Sequence, residues 1–121
     1  MLNFLFVFIG GGLGSMCRYG IARGMAHYKL NFPLATFTAN VLACIILGYL
    51  ISLKSGDQVS GNTQLLIMTG FCGGFSTFST FTAETHLLFQ EGAYGQGLFY
   101  VGASLVVCLL SLYLGTRLGL R

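Results

Sequence analysis

Four stretches of this chain contain no charged residue at all: Met1–Cys17, Leu30–Leu53, Gln58–Ala83 and Gly92–Thr116. A helix needs about 20 mainly apolar residues to cross a bilayer. The last three stretches are long enough outright. The first is expected to run on past Arg18, whose long stem lets its head snorkel or pair inside the protein. Only 7% of the 121 residues are charged, while 55% are hydrophobic. A soluble domain carries roughly 25% charged residues, so a soluble fold would lack the surface charge to stay dissolved. The expected class is an all-α membrane protein. Its four transmembrane helices, spanning about 2–26, 33–53, 62–90 and 94–117, form a single domain over residues 1–121. The connectors Ala26–Phe32, Lys54–Thr63 and Glu91–Gly95 are small and polar, and no soluble domain or charged tail is expected.

No Lys or Arg precedes the apolar run Asn3–Ile9, and no alanine-type cleavage pattern follows it, so the first span is expected to be retained rather than removed as a signal peptide. Cys17, Cys44, Cys72 and Cys108 all lie within apolar segments without C-x-x-C or zinc spacing. They read as small hydrophobes in helix interfaces. His27 and His86 flank expected membrane boundaries and read as interfacial residues. Gly10-Gly11-Gly12-Leu13-Gly14-Ser15 imitates a dinucleotide fingerprint, but Ser15 replaces the last glycine and no acid lies about 20 residues on. Helix packing is the better reading. The chain has no P-loop lysine and only three acids, Asp57, Glu84 and Glu91. Neither an enzyme nor a nucleotide or nucleic-acid binder is expected.

Lys and Arg normally accumulate on the cytoplasmic side and orient a membrane protein. Here one side would hold Lys54, Arg117 and Arg121, and the other Arg23 and Lys29, with Arg18 if it snorkels that way. Two readings stand: insertion in both orientations, or one orientation with a weak signal. A four-helix chain is too small to enclose much of a pore alone. An antiparallel homodimer in the lipid bilayer would supply the inverted symmetry that many transporters build from internal repeats. Glycines at small-xxx-small spacing, Gly10/Gly14, Gly20/Gly24, Gly70/Gly74 and Gly115/Gly119, favour close helix packing.

Inside the third span, Gly70-Phe71-Cys72-Gly73-Gly74-Phe75-Ser76-Thr77-Phe78-Ser79-Thr80-Phe81 makes poor regular helix. Irregular backbone at membrane depth is tolerated only where protein buries it or where it lines a wet cavity. The segment therefore reads as a helix broken at its centre, next to the adjacent glycines. Phe71, Phe75, Phe78 and Phe81 form a helical stripe, which by itself suggests packing. Phe78 and Phe81, however, are interleaved with Thr77, Ser79 and Thr80. An aromatic edge is electropositive and contacts a small anion without trapping it. Unwound carbonyls at the break would be free to coordinate a cation. Glu84 either pairs with an arginine, sits in a watery vestibule or marks the boundary.

Thr36 and Asn40 share a face of the second span. The Asn40 amide can serve an anion or glue helices together, and the residue alone does not decide. Tyr100, Ser104 and Cys108, with Ser111 nearly in line, give the fourth span a partly polar stripe. Taken alone, that stripe is better explained by serines bonding back to their own helix.

The third-span motif with Glu84, the segment Thr36-Phe37-Thr38-Ala39-Asn40, and Gly-Ser-Met-Cys-Arg ending at Arg18 resemble the Fluc family of fluoride channels, also called CrcB-like proteins. The resemblance covers the whole chain. It implies a dual-topology antiparallel homodimer in the bacterial inner (plasma) membrane, with two pores that passively export fluoride. It further implies that Phe78 and Phe81 turn ring edges to the ion path, that Asn40 is the pore asparagine, and that Tyr100 and Ser104 belong to a hydroxyl track. Thr36, Thr77 and Thr80 accompany the path, Glu84 matches a vestibule acid, and Arg18 matches an arginine near the pore entrance. Backbone carbonyls of Gly73 and Ser76 from both subunits would hold a structural sodium ion at the dimer centre. Cys108 departs from the pattern, since some relatives carry a serine there and a thiol is a weaker donor. The rival reading is a proton-coupled small multidrug-type transporter. That class uses a carboxylate in its first helix, and Met1–Cys17 contains none.

Overall fold

A computed structural model describes residues 1–27 and 32–120. Lys29 and Arg121, counted above for topology, lie outside the described residues, as does most of the Ala26–Phe32 connector. The described chain is all helical, with four spans long and apolar enough to cross a membrane. Helix α1 runs Leu2–Gly24 and α2 runs Leu34–Ser55. Pro33, which cannot continue a helical hydrogen-bond ladder, immediately precedes α2. The third span, Gly61–Gln90, begins with a single turn, α3 (Gly61–Thr63), capped by the Ser60 hydroxyl on the Thr63 amide at 3.2 Å. It continues as a wider π-helical stretch (Gln64–Cys72), a further turn α4 (Gly73–Phe75), and α5 (Phe78–Gln90). Gly92, at φ 79°, ends α5 in the left-handed conformation that glycine adopts without strain. The Ala93 amide bonds back to the Leu88 carbonyl at 2.9 Å, closing the helix end. The fourth span, α6, runs Tyr94–Gly119.

The glycines decide how the spans pack. α1 lies along the π-helical stretch and α4, while α2 lies along α6. A Cβ at Gly10 would strike the Leu66 carbonyl, and one at Gly14 the Phe71 carbonyl. From the other side, a Cβ at Gly70 would lie 2.9 Å from the Val7 carbonyl oxygen, and one at Gly74 would strike the Gly11 carbonyl. Backbones in direct contact leave no room for larger side chains. Gly48 and Gly115 do the same between α2 and α6, against the Leu112 and Ile45 carbonyls. Of the glycine pairs read from the sequence, Gly20/Gly24 is the exception: no atom of the described residues stands within 4 Å of an added Cβ at either position.

The third span bends, but not at its glycines. Gly73 is helical (φ −64°, ψ −37°), and Gly74 lies in the same helical turn. The residues that leave the helix are Ser76 (φ −81°, ψ 156°) and Thr77 (φ −153°, ψ 125°), both extended. The irregular backbone expected within Gly70–Phe81 thus falls at Ser76 and Thr77, just beyond the adjacent glycines, which stay helical. Glycine's low helix propensity is only a weak preference, and here Gly74 packs directly against the Gly11 backbone of α1. The change of direction falls where Thr77 starts a new helix as its N-cap.

The small core is Ala39, Ala43 and Phe75, with Ile21 and Phe71 packed against it. Phe4, Phe8, Leu13 and Met16 on α1, and Leu109 and Leu110 on α6, stay exposed. A surface this apolar faces lipid or another chain rather than water.

Candidate functional site

The two extended residues create a hydrogen-bonding deficit at membrane depth, and Asn40 meets it. The Thr77 amide, which a continuous helix would return to the Gly73 carbonyl, donates instead to Asn40 Oδ1 at 2.9 Å. Asn40 Nδ2 donates to the Thr77 carbonyl at 3.4 Å. Asn40 thus clasps the bend from α2, and its remaining amide hydrogen stays available. The Thr77 hydroxyl accepts from the Thr80 amide at 3.3 Å and caps α5. Ser79 and Thr80 hydroxyls also bond to Thr77 Oγ1. The hydroxyls of Thr77 and Thr80 are therefore occupied in a helix cap. Ser76 bonds back to the Cys72 carbonyl at 2.7 Å.

A cavity of about 350 Å³ opens beside this bend, lined among others by Asn40, Ser76, Thr77, Phe78, Phe81 and Ser104. The Ser104 residue is buried, and its hydroxyl oxygen has no hydrogen-bond partner among the described residues. The back-bonding that the sequence favours for this stripe is absent at Ser104. Burying an unpaired hydroxyl is unfavourable by about 1–3 kcal/mol. Phe78 stands at the cavity mouth, 77% exposed, with its ring centroid 5.7 Å from that of Phe81.

Helices α2 and α6 run parallel, and their polar residues meet in rungs at a constant sequence offset. Thr36 meets Tyr100, Asn40 shares the cavity with Ser104, and Cys44 meets Cys108. Gly48 follows against the Leu112 carbonyl. Residues four apart repeat on one helix face, so two such stripes on parallel helices form a ladder. Sequence reasoning found each stripe but had no means to pair them.

At the other end, the fully buried Tyr100 ring lies 5.0 Å from Phe81, and its hydroxyl donates to Glu84 Oε1 at 3.0 Å. Thr36 also interacts with Glu84. Glu84 borders a second cavity of about 190 Å³, between the C-terminal end of α1 and the start of α2. Phe81, Tyr100 and Glu84 thus stand in sequence between the two cavities. Of the three readings for Glu84, the structure shows it beside a cavity and bonded to the Tyr100 hydroxyl.

Arg18 is elsewhere. It projects from α1, and its Nε donates to the Gly74 carbonyl at 3.3 Å, alongside Ser15 at 3.5 Å. It lines neither cavity. The charge is held on backbone next to the bend. Gly73 is exposed, and its carbonyl has lost its helical Thr77 partner to Asn40.

The profile of a family described as "CrcB-like protein, Camphor Resistance (CrcB)" matches residues 5–116. A "Fluoride-specific ion channel FluC" from Pyrococcus abyssi is 44% identical over 118 residues, covering 97% of this chain and 95% of the relative. A protein of the same name from Methylobacillus flagellatus is 38% identical over 121 residues, covering 98% and 94%. Another, from Phocaeicola vulgatus, is 37% identical over 116 residues, covering 95% and 96%. These relatives are named as ion channels, not enzymes. With four spans and near-complete coverage, this chain is a multi-pass membrane protein and belongs to the CrcB-like family.

Proposed function

We propose that the chain is a passive fluoride channel working as an antiparallel homodimer, with its route along the α2–α6 ladder. The observation that carries this is the unpartnered Ser104 hydroxyl, buried in the same cavity as the Asn40 amide and the Phe78 and Phe81 rings. Fluoride is small and strongly hydrated, so a pore must replace its water with weak donors that also let it leave. An amide hydrogen, a free hydroxyl and aromatic edges are such donors. The Tyr100 hydroxyl and Thr36 continue the row toward Glu84 and the second cavity, which serves as a vestibule. Thr77 and Thr80 act through the α5 cap, and Arg18 through the bend, rather than by touching the ion.

The dimer follows from what the cavity lacks. Its lining residues Phe78, Leu105 and Leu109 are 77%, 57% and 68% exposed. A groove open sideways to hydrocarbon would conduct no anion, because hydrocarbon offers no partners for charge. A second copy supplies the missing wall, in the plasma membrane, with one groove from each subunit giving two pores. The bend serves as the interruption of a broken helix. The released Gly73 carbonyl, with that of Ser76, fits a hard cation such as sodium, which prefers oxygen ligands. Such an ion would join the two bends at the dimer centre.

Gly73→Val tests that arrangement. Among the described residues nothing stands within 4 Å of an added Cβ at Gly73. The substitution should leave the subunit's helix content unchanged and shift purified protein from dimer to monomer in detergent. A dimer as robust as the parent's would remove the central contact.

The proton-coupled reading is separated through Glu84→Gln. The glutamine oxygen still accepts from Tyr100, so a channel should keep fluoride efflux within about tenfold of the parent, without any pH gradient. A drug/proton exchanger would lose substrate-driven proton movement entirely, and that loss, recorded with an entrapped pH dye, would overturn the channel reading.

A further inference from the structure

Cys44 and Cys108 occupy the rung of the α2–α6 ladder next to Asn40 and Ser104, and the fluoride route as derived uses neither. Their side chains interact with each other across the two helices, and both line the larger cavity. The helices carrying them are held at fixed separation, because Gly48 and Gly115, which follow on α2 and α6, press against the Leu112 and Ile45 carbonyls. The two sulfurs are thus preorganised and reachable from the cavity. We propose that Cys44 and Cys108 form a two-sulfur site for a soft divalent cation of the mercuric type, and that a cation bound there plugs the cavity.

Chemistry selects that class. Thiolates favour soft metals, whereas hard cations seek oxygen. Among the described residues no group of three or more His, Cys, Asp or Glu gathers around a common point, so the site suits an ion content with two ligands. Charge balance matters in an apolar surround, where a net charge is strongly unfavourable. Each sulfur gives its proton to water as its bond to the metal forms. One doubly charged ion therefore replaces two protons, the site stays neutral, and nothing is oxidised or reduced. Cys72 interacts with Cys44 but is buried and does not line the cavity. It is the competing second ligand that an experiment must exclude.

Mercuric nitrate is titrated into the purified full chain carrying Cys17→Ser, which removes the exposed thiol on α1. The near-ultraviolet mercury–sulfur absorption and the protons released are recorded together. We expect one ion per chain, with two protons released. Cys44→Ser and Cys108→Ser should each weaken binding about a hundredfold by removing one of two linked ligands, and Cys72→Ser should not. Cys108→Ala, read the same way, covers a failure of the serine variant to fold. An undiminished two-sulfur signal in both Cys108 variants, or its loss in Cys72→Ser, overturns the site. In vesicles, the metal should cut fluoride efflux at least tenfold relative to the same protein's metal-free rate, reversed by a dithiol. Binding without block overturns the plug. Only the plug rests on the fluoride reading: absence of metal-free flux would refute that reading, while the absorption titration still decides the metal site.

Discussion

Asn40→Asp should stop fluoride flux while the chain stays folded. The substitution separates the two duties of Asn40. A carboxylate oxygen still accepts from the Thr77 amide, the shorter of the two bonds at 2.9 Å, so the bend keeps its main clasp. What changes is the cavity: the amide donors vanish and a negative charge takes their place. Two like charges about 4 Å apart repel by roughly 4 kcal/mol at an effective dielectric of about 20. That corresponds to a flux lower by about three orders of magnitude. The check is the initial efflux rate from proteoliposomes, with thermal unfolding in detergent as the control for folding. Undiminished flux would place Asn40 outside the route and leave it only the clasp.

Phe78→Ile and Phe81→Ile should each slow fluoride efflux by about tenfold, a loss near 1.4 kcal/mol and of the size aromatic contacts supply. Isoleucine keeps bulk and apolarity but has no electropositive ring edge. The two positions differ in their structural roles. Phe78 is 77% exposed within the chain, so its loss leaves the subunit core untouched. Phe81 packs between Phe78 and Tyr100, at centroid distances of 5.7 and 5.0 Å. Its replacement therefore also loosens the Tyr100 ring that reaches Glu84. The Phe81 variant should be the slower of the two. Parent-like flux in both would remove the rings from the ion path.

Much of the fold is legible in the sequence, because hydrocarbon thickness and the absence of charge leave few choices for each long stretch. The four charge-free runs correspond to four long helices. Glycine spacing also announces close packing, but spacing alone does not say which pairs meet. Gly10/Gly14 and Gly70/Gly74 interlock, whereas Gly20/Gly24 meets no other helix among the described residues. Of the glycines and hydroxyl residues that mark Gly70–Phe81 as poor helix, the glycines stay helical, since their low propensity is a weak local preference, and the bend falls at Ser76 and Thr77. The better local signal was the hydroxyl of Thr77 three residues before Thr80, a helix-start pattern. The duty of Asn40 toward Thr77 spans 37 residues of sequence. No single-helix pattern reveals such a contact. For the same reason the ladder of Thr36, Asn40 and Cys44 against Tyr100, Ser104 and Cys108 appears only once α2 and α6 are set side by side. Arg18 was assigned by resemblance, and its bond to the Gly74 carbonyl follows from the way α1 lies on the third span.

The most direct test of the fluoride route is an ion-selective electrode record of fluoride released from loaded proteoliposomes, with chloride present and no proton gradient. The ladder of donors predicts rapid fluoride release with little accompanying chloride. Release no faster than from protein-free vesicles would contradict it.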